Sequence, residues 1–279
     1  MIRVEFRKQF WRLRSYLALG LMVAIPLITI IAFKLGGGPS GRGAQSAQES
    51  LFDLATRSGL NMPLAALLSV NSFLLPVVVS IFAGGAIAEE ASWGTLRYLL
   101  LRPVSRRRLL ATKLAVVAAF AALATVLVAA TGLVGGVAAF GWHPVVVPSV
   151  TAAFTPTSLT TISQGEALSR LAAATFYVAW SMAGIVAFAF MLSTVTDAAL
   201  GAVSAGIGLT IVSEILDAIT PLKTFRNFLP THYWQAWTGL FRHPVETGEI
   251  IRGALLQIPY VIAFLAIAWW WFHRKDIVS

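Results

Sequence analysis

A chain of 279 residues with 57% hydrophobic and 12% charged side chains and a mean hydropathy of +0.77 excludes one water-soluble core, since a soluble domain carries about 25% charged residues. The net charge of +9 does not indicate nucleic-acid binding, because the 21 Lys and Arg sit in short clusters between apolar runs, where they set orientation and meet anionic headgroups. With no cysteine, disulfides, thiolate metal sites and a cysteine nucleophile are excluded.

At the N-terminus Ile2, Phe6, Phe10, Leu13 and Leu17 recur at steps of three and four, which predicts one apolar helical face over residues 1–14. Arg3, Arg7 and Arg14 border that face and Lys8 and Arg12 lie opposite, so the helix is expected in the membrane interface, apolar side in lipid and basic side toward headgroups. The plainer reading is an orientation signal alone. Six runs then approach the roughly 20 apolar residues that cross a bilayer: 15–33, 63–88, 114–140, 171–196, 198–217 and 253–272. The first run, 19 residues long, exceeds the apolar core of a signal peptide, about 7 to 15 residues, and is expected to be retained. The fifth has only 16 uncharged residues, Ala198 to Ser213, and must take Glu214 and Asp217 with it to cross.

An even number of spans puts both termini on one side. Placing that side in the cytoplasm gives its short segments thirteen Lys and Arg against eight outside, as the positive-inside rule requires. Trp269, Trp270 and Trp271 before Arg274 and Lys275 then form an aromatic anchor at the inner interface. The expected fold is all-α, a single polytopic transmembrane domain over residues 1–279.

Among the loops, 34–62 opens with Gly36, Gly37, Gly38 and Pro39 and reads as a flexible connector with a short amphipathic helix near 51–55. The stretch 141–170 carries Pro144, Pro148 and Pro156 and reads as irregular outer cover. The stretch 221–252 interleaves Phe225, Phe228, His232, Tyr233, Trp234, Trp237 and Phe241 with polar residues, which predicts two short interfacial or re-entrant helices with their rings at headgroup level.

The cytoplasmic loop 89–113 reads EEASWGTLRYLLLRPVSRRRLLATK. Glu89 and Glu90 open it, Gly94 permits a bend or a close backbone approach, Leu96, Leu99 and Leu100 form a short apolar face, and Pro103 ends that helix. Ser105 is placed to cap the helix that carries Arg106 into the third span.

For chemistry the chain offers little. It has no G-x-x-x-x-G-K-[ST] phosphate cradle and no H-x-x-x-H ligand pair, so no metal site, catalytic residue or cofactor is expected in it, and it is not expected to be an enzyme. No histidine lies inside a span, which argues against an intramembrane serine protease. Asn71, at membrane depth in the second span, holds helices together by a hydrogen bond or touches a transported molecule. Glu214 and Asp217, three apart on one helical face, are mouth residues of the fifth span or, in an ion-coupled transporter or channel, a relay.

The pattern E-E-x-x-x-G-T-L, then L-x-x-P-V-S-R and a lysine before the next span, resembles the ABC-2 family of exporter permeases. The likeness extends over the basic N-terminal helix, the six spans and the aromatic LPTHYWQAW segment, 229–237, and is greatest toward the compact bacterial permeases of antibiotic-resistance and copper-site-maturation exporters. It implies a plasma-membrane export subunit with cytoplasmic termini, used in multidrug-type efflux, working as a homodimer or with a similar permease, together with two copies of a cytoplasmic ATPase that holds ATP and Mg. It further implies that 89–113 is the coupling helix, with Glu89, Glu90, Gly94, Thr95 and Arg97 at the ATPase contact and Pro103, Ser105 and Arg106 shaping the return, while the N-terminal helix is the elbow helix beside it. Asn71, Glu214 and Asp217 are the candidates for the translocation path. A membrane anchor or sensor subunit that recruits an ATPase would share the loop without needing the path.

Overall fold

In the computed structural model, residues 2–36, 55–94, 105–150 and 156–274 are described. Their helices are α1 (Ile2–Phe10), α2 (Leu13–Gly36), α3 (Met62–Asn71), α4 (Leu74–Ser92), α5 (Arg106–Phe140), α6 (Gln164–Ser181), α7 (Ala183–Val195), α8 (Ala199–Ala218) and α9 (Gly248–Arg274). Six helical stretches are long and apolar enough to cross a membrane: Leu13–Leu35, Leu74–Ser92, Arg106–Phe140, Gln164–Val195, Ala199–Ala218 and Gly248–Arg274. These match the six apolar runs of the sequence, and the protein is an α-helical, multi-pass membrane type.

α4 is the axis of the bundle. It packs on α5, α7 and α8, while α5 also supports α2 and α3, and α7 supports α9. Phe82 of α4, Phe120 of α5 and Phe190 of α7 are fully buried in the shared core, with the Phe82 and Phe120 rings 5.3 Å apart. Small residues set the closest approach of α4 and α8. A Cβ added to Gly84 would stand 2.7 Å from the Val203 backbone nitrogen, and one on Gly206 would meet Ser80 at 2.6 Å. Close contact of backbones through small residues is how helices associate where lipid supplies no hydrophobic drive.

Several sequence expectations are corrected. The helix expected over 1–14 stops at Phe10, because the Gln9 carbonyl is taken by the Ser15 hydroxyl at 2.6 Å and a turn at Trp11 and Arg12 separates it from α2. The second span is not continuous from 63 to 88: α3 ends at Asn71 and α4 starts at Leu74. Pro76 is the cause, since its ring lacks the N–H that would bond the Ser72 carbonyl and is tolerated only in the first turn of a new helix. The stretch 141–170 is not irregular: Val145–Val150 (β1) and Pro156–Ile162 (β2) form an antiparallel hairpin in the register Val145 to Ile162 and Val147 to Thr160, and α6 already begins at Gln164. β-Branched residues at 145–147 and 160–162 favour strand, and a two-stranded ribbon has free edges that admit Pro148. The amphipathic helix expected near 51–55 lies outside the described residues except for its end, where 55–57 and 59–61 are short 3₁₀ turns.

The bundle has two ends of different character. Ser105 caps α5 by accepting from the Arg108 amide at 3.4 Å, and the Arg106 guanidinium donates to the carbonyls of Phe272 and His273 at 3.2 and 3.1 Å. That cation closes the C-terminus of α9, where the helix dipole is negative. The end of α9, the start of α5, the end of α4 and α1 therefore meet at one terminal end. At the opposite, hairpin end, the Gly59 amide donates to the Gly141 carbonyl at 3.1 Å.

Candidate functional site

At the terminal end, three carboxylates face four cations across α1, α2, α4 and α5. Glu90, 1% exposed, sits between Lys113 Nζ at 2.7 Å and Lys8 Nζ at 2.5 Å. Lys113, 4% exposed, also reaches Glu5 at 3.4 Å and donates to the Ala86 carbonyl at 3.1 Å. Glu89, one residue back on α4, is in contact with both Arg12 and Arg14, and the Arg12 guanidinium lies over the Trp93 ring at 5.7 Å. Burial pulls the Arg12 pKa below its ordinary value, against the opposing pull of the Glu90 and Glu5 charges. A charge at this depth is tolerable only when it is paired, and removing one partner of such a pair costs about 3–5 kcal/mol.

This arrangement corrects the expected orientation of the N-terminal helix. Its basic residues Lys8 and Arg12 are paired with the carboxylates that α4 delivers, while Ile2, Phe6 and Phe10 keep exposed faces and Phe6 rests on Phe120 with centroids 5.0 Å apart. Glu89 and Glu90, the two acids singled out in the sequence, are thus brought together with α1 and α5. Gly94, two residues beyond the end of α4, has φ of +68° and no atom of the described residues within 4 Å of an added Cβ. Thr95, Arg97 and Pro103 lie outside the described residues.

A second polar assembly occupies the hairpin end, where residues 228–241 enter the bundle as irregular chain with short 3₁₀ turns at Thr220–Phe228 and Ala236–Phe241. Backbone carbonyls of such a segment need donors wherever water is excluded. Side chains from three helices supply them. Asn71 of α3 donates to Trp234 O at 3.1 Å, Tyr177 of α6 to Tyr233 O at 2.7 Å, Gln257 of α9 to Pro230 O at 2.9 Å and Arg170 of α6 to Leu240 O at 2.6 Å. Gln235 returns a bond to Ser72 at 2.8 Å, in the break between α3 and α4. Trp234, Trp237 and Phe241 are at most 1% exposed. The rings of these three face the bundle core, because the segment is anchored inward by its carbonyls, whereas Phe225 and Phe228 are exposed.

The remaining candidates separate. Asn71 is fully buried and acts as a packing residue through its bond to Trp234. Asp217, in the last turn of α8, contacts His232 Nδ1 at 2.5 Å and Arg226 Nε at 3.3 Å. Its neighbour Glu214 is half-buried. Among the described residues no group of three or more His, Asp and Glu is placed to hold a metal ion.

Sequence reasoning missed Glu5, Lys8, Arg12, Arg14 and Lys113 as partners of the α4 acids, and Tyr177 and Gln257 as anchors of the inserted segment. The first set carried a signal, since the charge count had already put both signs at the same membrane side. Gln257 carried another, as a lone amide inside an apolar run.

The fold and these two assemblies define a six-span α-helical membrane protein whose ends are joined by ion pairs at one side and by side-chain-to-carbonyl bonds at the other. The chain belongs to the DUF2705 family, described as a protein of unknown function, whose profile matches residues 48–278. Comparison with curated proteins gives no match.

Proposed function

We propose that this chain is the membrane-spanning permease subunit of an ATP-driven exporter of the ABC-2 type, in a bacterial plasma membrane with both termini cytoplasmic. It would work with a second permease copy and with a separate cytoplasmic ATPase that binds ATP and Mg, since its own sequence has no phosphate cradle. One observation carries the reading. The two feet of the loop that resembles a coupling helix, Gly94 and Ser105, rise from the same ion-paired junction that fixes α1, α4 and α5, with α9 attached through Arg106. A force applied to the loop would reach four helices together. In this reading α1 is the elbow helix and 228–241 the re-entrant segment. The role of Glu89 and Glu90 becomes that of positioning residues, which hold the loop's feet, in place of direct ATPase contacts.

An ion relay through Glu214 and Asp217 has less support, because Asp217 is engaged with Arg226 and His232 and no chain of ionisable groups leads from it across the described bundle.

The test uses affinity-tagged chain isolated from its native membrane with whatever associates with it. A Walker-motif ATPase should co-purify, and hydrolysis by the complex should respond to Gly94→Trp, which places bulk on the open end of α4. Gly94→Asn is the control, since asparagine accepts a positive φ. Expected are loss of at least about tenfold in permease-stimulated hydrolysis for Gly94→Trp and near-normal activity for the control. Transport by proteoliposomes of this chain alone, driven by a proton gradient, would overturn the proposal.

A further inference from the structure

The cleft between α1 and the bundle is lined by Glu5, Lys8, Gln9, Arg12, Glu90 and Lys113, with Ala86, Val116 and Val117 behind them. The charges in and beside it do not cancel. Lys8, Arg12, Arg14 and Lys113 face Glu5, Glu89 and Glu90, which leaves one positive charge in excess, and the exposed Arg3 and Arg7 add to it on the same helix. The excess is not deep in the cleft, because Lys113 directs its ammonium to Glu5, Glu90 and the Ala86 carbonyl. It lies toward the outer edge, where the Lys8 side chain is 39% exposed.

Gln9 gives the cleft its specificity. Only 8% exposed, it accepts from Arg14 at its Oε1, 3.3 Å away, while its Nε2 donor has no partner among the described residues. A buried amide donor left open beside surplus positive charge calls for an anionic acceptor. The cleft has about 20 Å³ of free space, room for one water-sized group, hence for one oxygen of a phosphate and not for the whole ion. An anion that inserts one oxygen must be held from outside as well. Leu13, Leu17 and Leu21, one above another on α2 and all exposed, form an apolar track of the kind an acyl chain covers, starting at the residue after the turn of Trp11 and Arg12.

We propose that this cleft binds the phosphate of an anionic phospholipid, one oxygen accepting from Gln9 Nε2 next to Lys8 and Arg12, and an acyl chain lying along Leu13, Leu17 and Leu21. The lipid would complete the charge balance of the junction that holds α1. The inference rests on the chain's being a membrane protein and not on the exporter reading, so it stands or falls separately from the co-purification experiment.

The experiment is lipid binding to the purified full chain in neutral detergent, by native mass spectrometry and by the thermal melt of tryptophan fluorescence. Phosphatidylglycerol, phosphatidylcholine with the same acyl chains, and inorganic phosphate are compared. Expected is one tightly held phosphatidylglycerol per chain, at least tenfold tighter than phosphatidylcholine, with no effect of inorganic phosphate. Gln9→Leu, which removes the donor while Lys8 keeps its bond to Glu90, should reduce that preference at least fivefold; Gln9→Glu should abolish it. Equal binding of the two lipids by the unaltered chain would overturn the proposal whatever the variants do. Stabilisation by inorganic phosphate equal to that by phosphatidylglycerol would assign a free anion and discard the lipid. Retention of the full preference in a folded Gln9→Glu chain would discard the site.

Discussion

Replacing Lys113 by methionine tests the ion-paired junction most directly. The substitution keeps the length and apolar stem of the side chain and deletes one charge from a position 4% exposed. Glu90 would lose its 2.7 Å partner and keep its bond to Lys8, at the edge of the cleft, Glu5 would lose its 3.4 Å partner, and the Ala86 carbonyl would lose its donor. Breaking a buried pair on one side costs about 3–5 kcal/mol, and at about 2–4 °C per kcal/mol for a chain of this order of size the melt should fall by roughly 10 °C. Glu90→Leu alone should cost a similar amount, because it leaves the buried Lys113 ammonium with the longer 3.4 Å contact to Glu5 and the Ala86 carbonyl. The double substitution should recover most of the loss, as both buried charges leave together and Lys8, partly exposed, is satisfied by water. Melts in detergent followed by the fluorescence of the nine tryptophans give all three values. The cycle should show a coupling of at least about 2 kcal/mol. If the two single losses simply add in the double variant, Glu90 and Lys113 do not act as a pair and the reasoning about the junction is wrong.

Three further outcomes are expected from the same assay. Gly253→Val should lower the melt by the equivalent of about 1–3 kcal/mol, because even a Cβ there would stand 2.1 Å from the Tyr177 hydroxyl and 2.5 Å from the Tyr233 side chain; Tyr177→Phe, which loses only the bond to Tyr233 O, should cost about 1 kcal/mol. Arg106→Ala frees the carbonyls of Phe272 and His273 and should cost about 1–2 kcal/mol, with faster proteolysis after Trp271 as a sign that the end of α9 has frayed.

What could be read in the sequence follows what is local. The spans were legible because twenty apolar residues in a row have few other fates, and Ser105 was legible as a cap because its bond lies three residues away. The break at Ser72 was written in Pro76, yet its position in a long uncharged run hid it. The hairpin was obscured by its own prolines, which argue against a central strand but not against an isolated ribbon. The partners of Glu90 come from residues 82 positions before it and 23 after it in the chain, a distance that no period reports. Burial of Trp234 and Trp237 was equally invisible, since it depends on carbonyl acceptors in a segment with no regular pattern and on donors placed in α3, α6 and α9.

The glycines of the hairpin end give the bundle a mechanical polarity. Gly132 lies against the Pro63 backbone, and Gly136 and Gly59 are so close that a Cβ on either would stand within 2.6 Å of the other's carbonyl oxygen. Main chain rests there largely on main chain, with the first atoms of the Met62 and Ala66 side chains beside it. At the terminal end the same α5 is held through the long side chains of Arg106 and Lys113. α5 is 35 residues long, about 50 Å at 1.5 Å per residue. Measured from the glycines, α5 has a long arm toward the terminal end, and a tilt of about 6° there would carry Ser105 through about 5 Å, on the order of one helical turn.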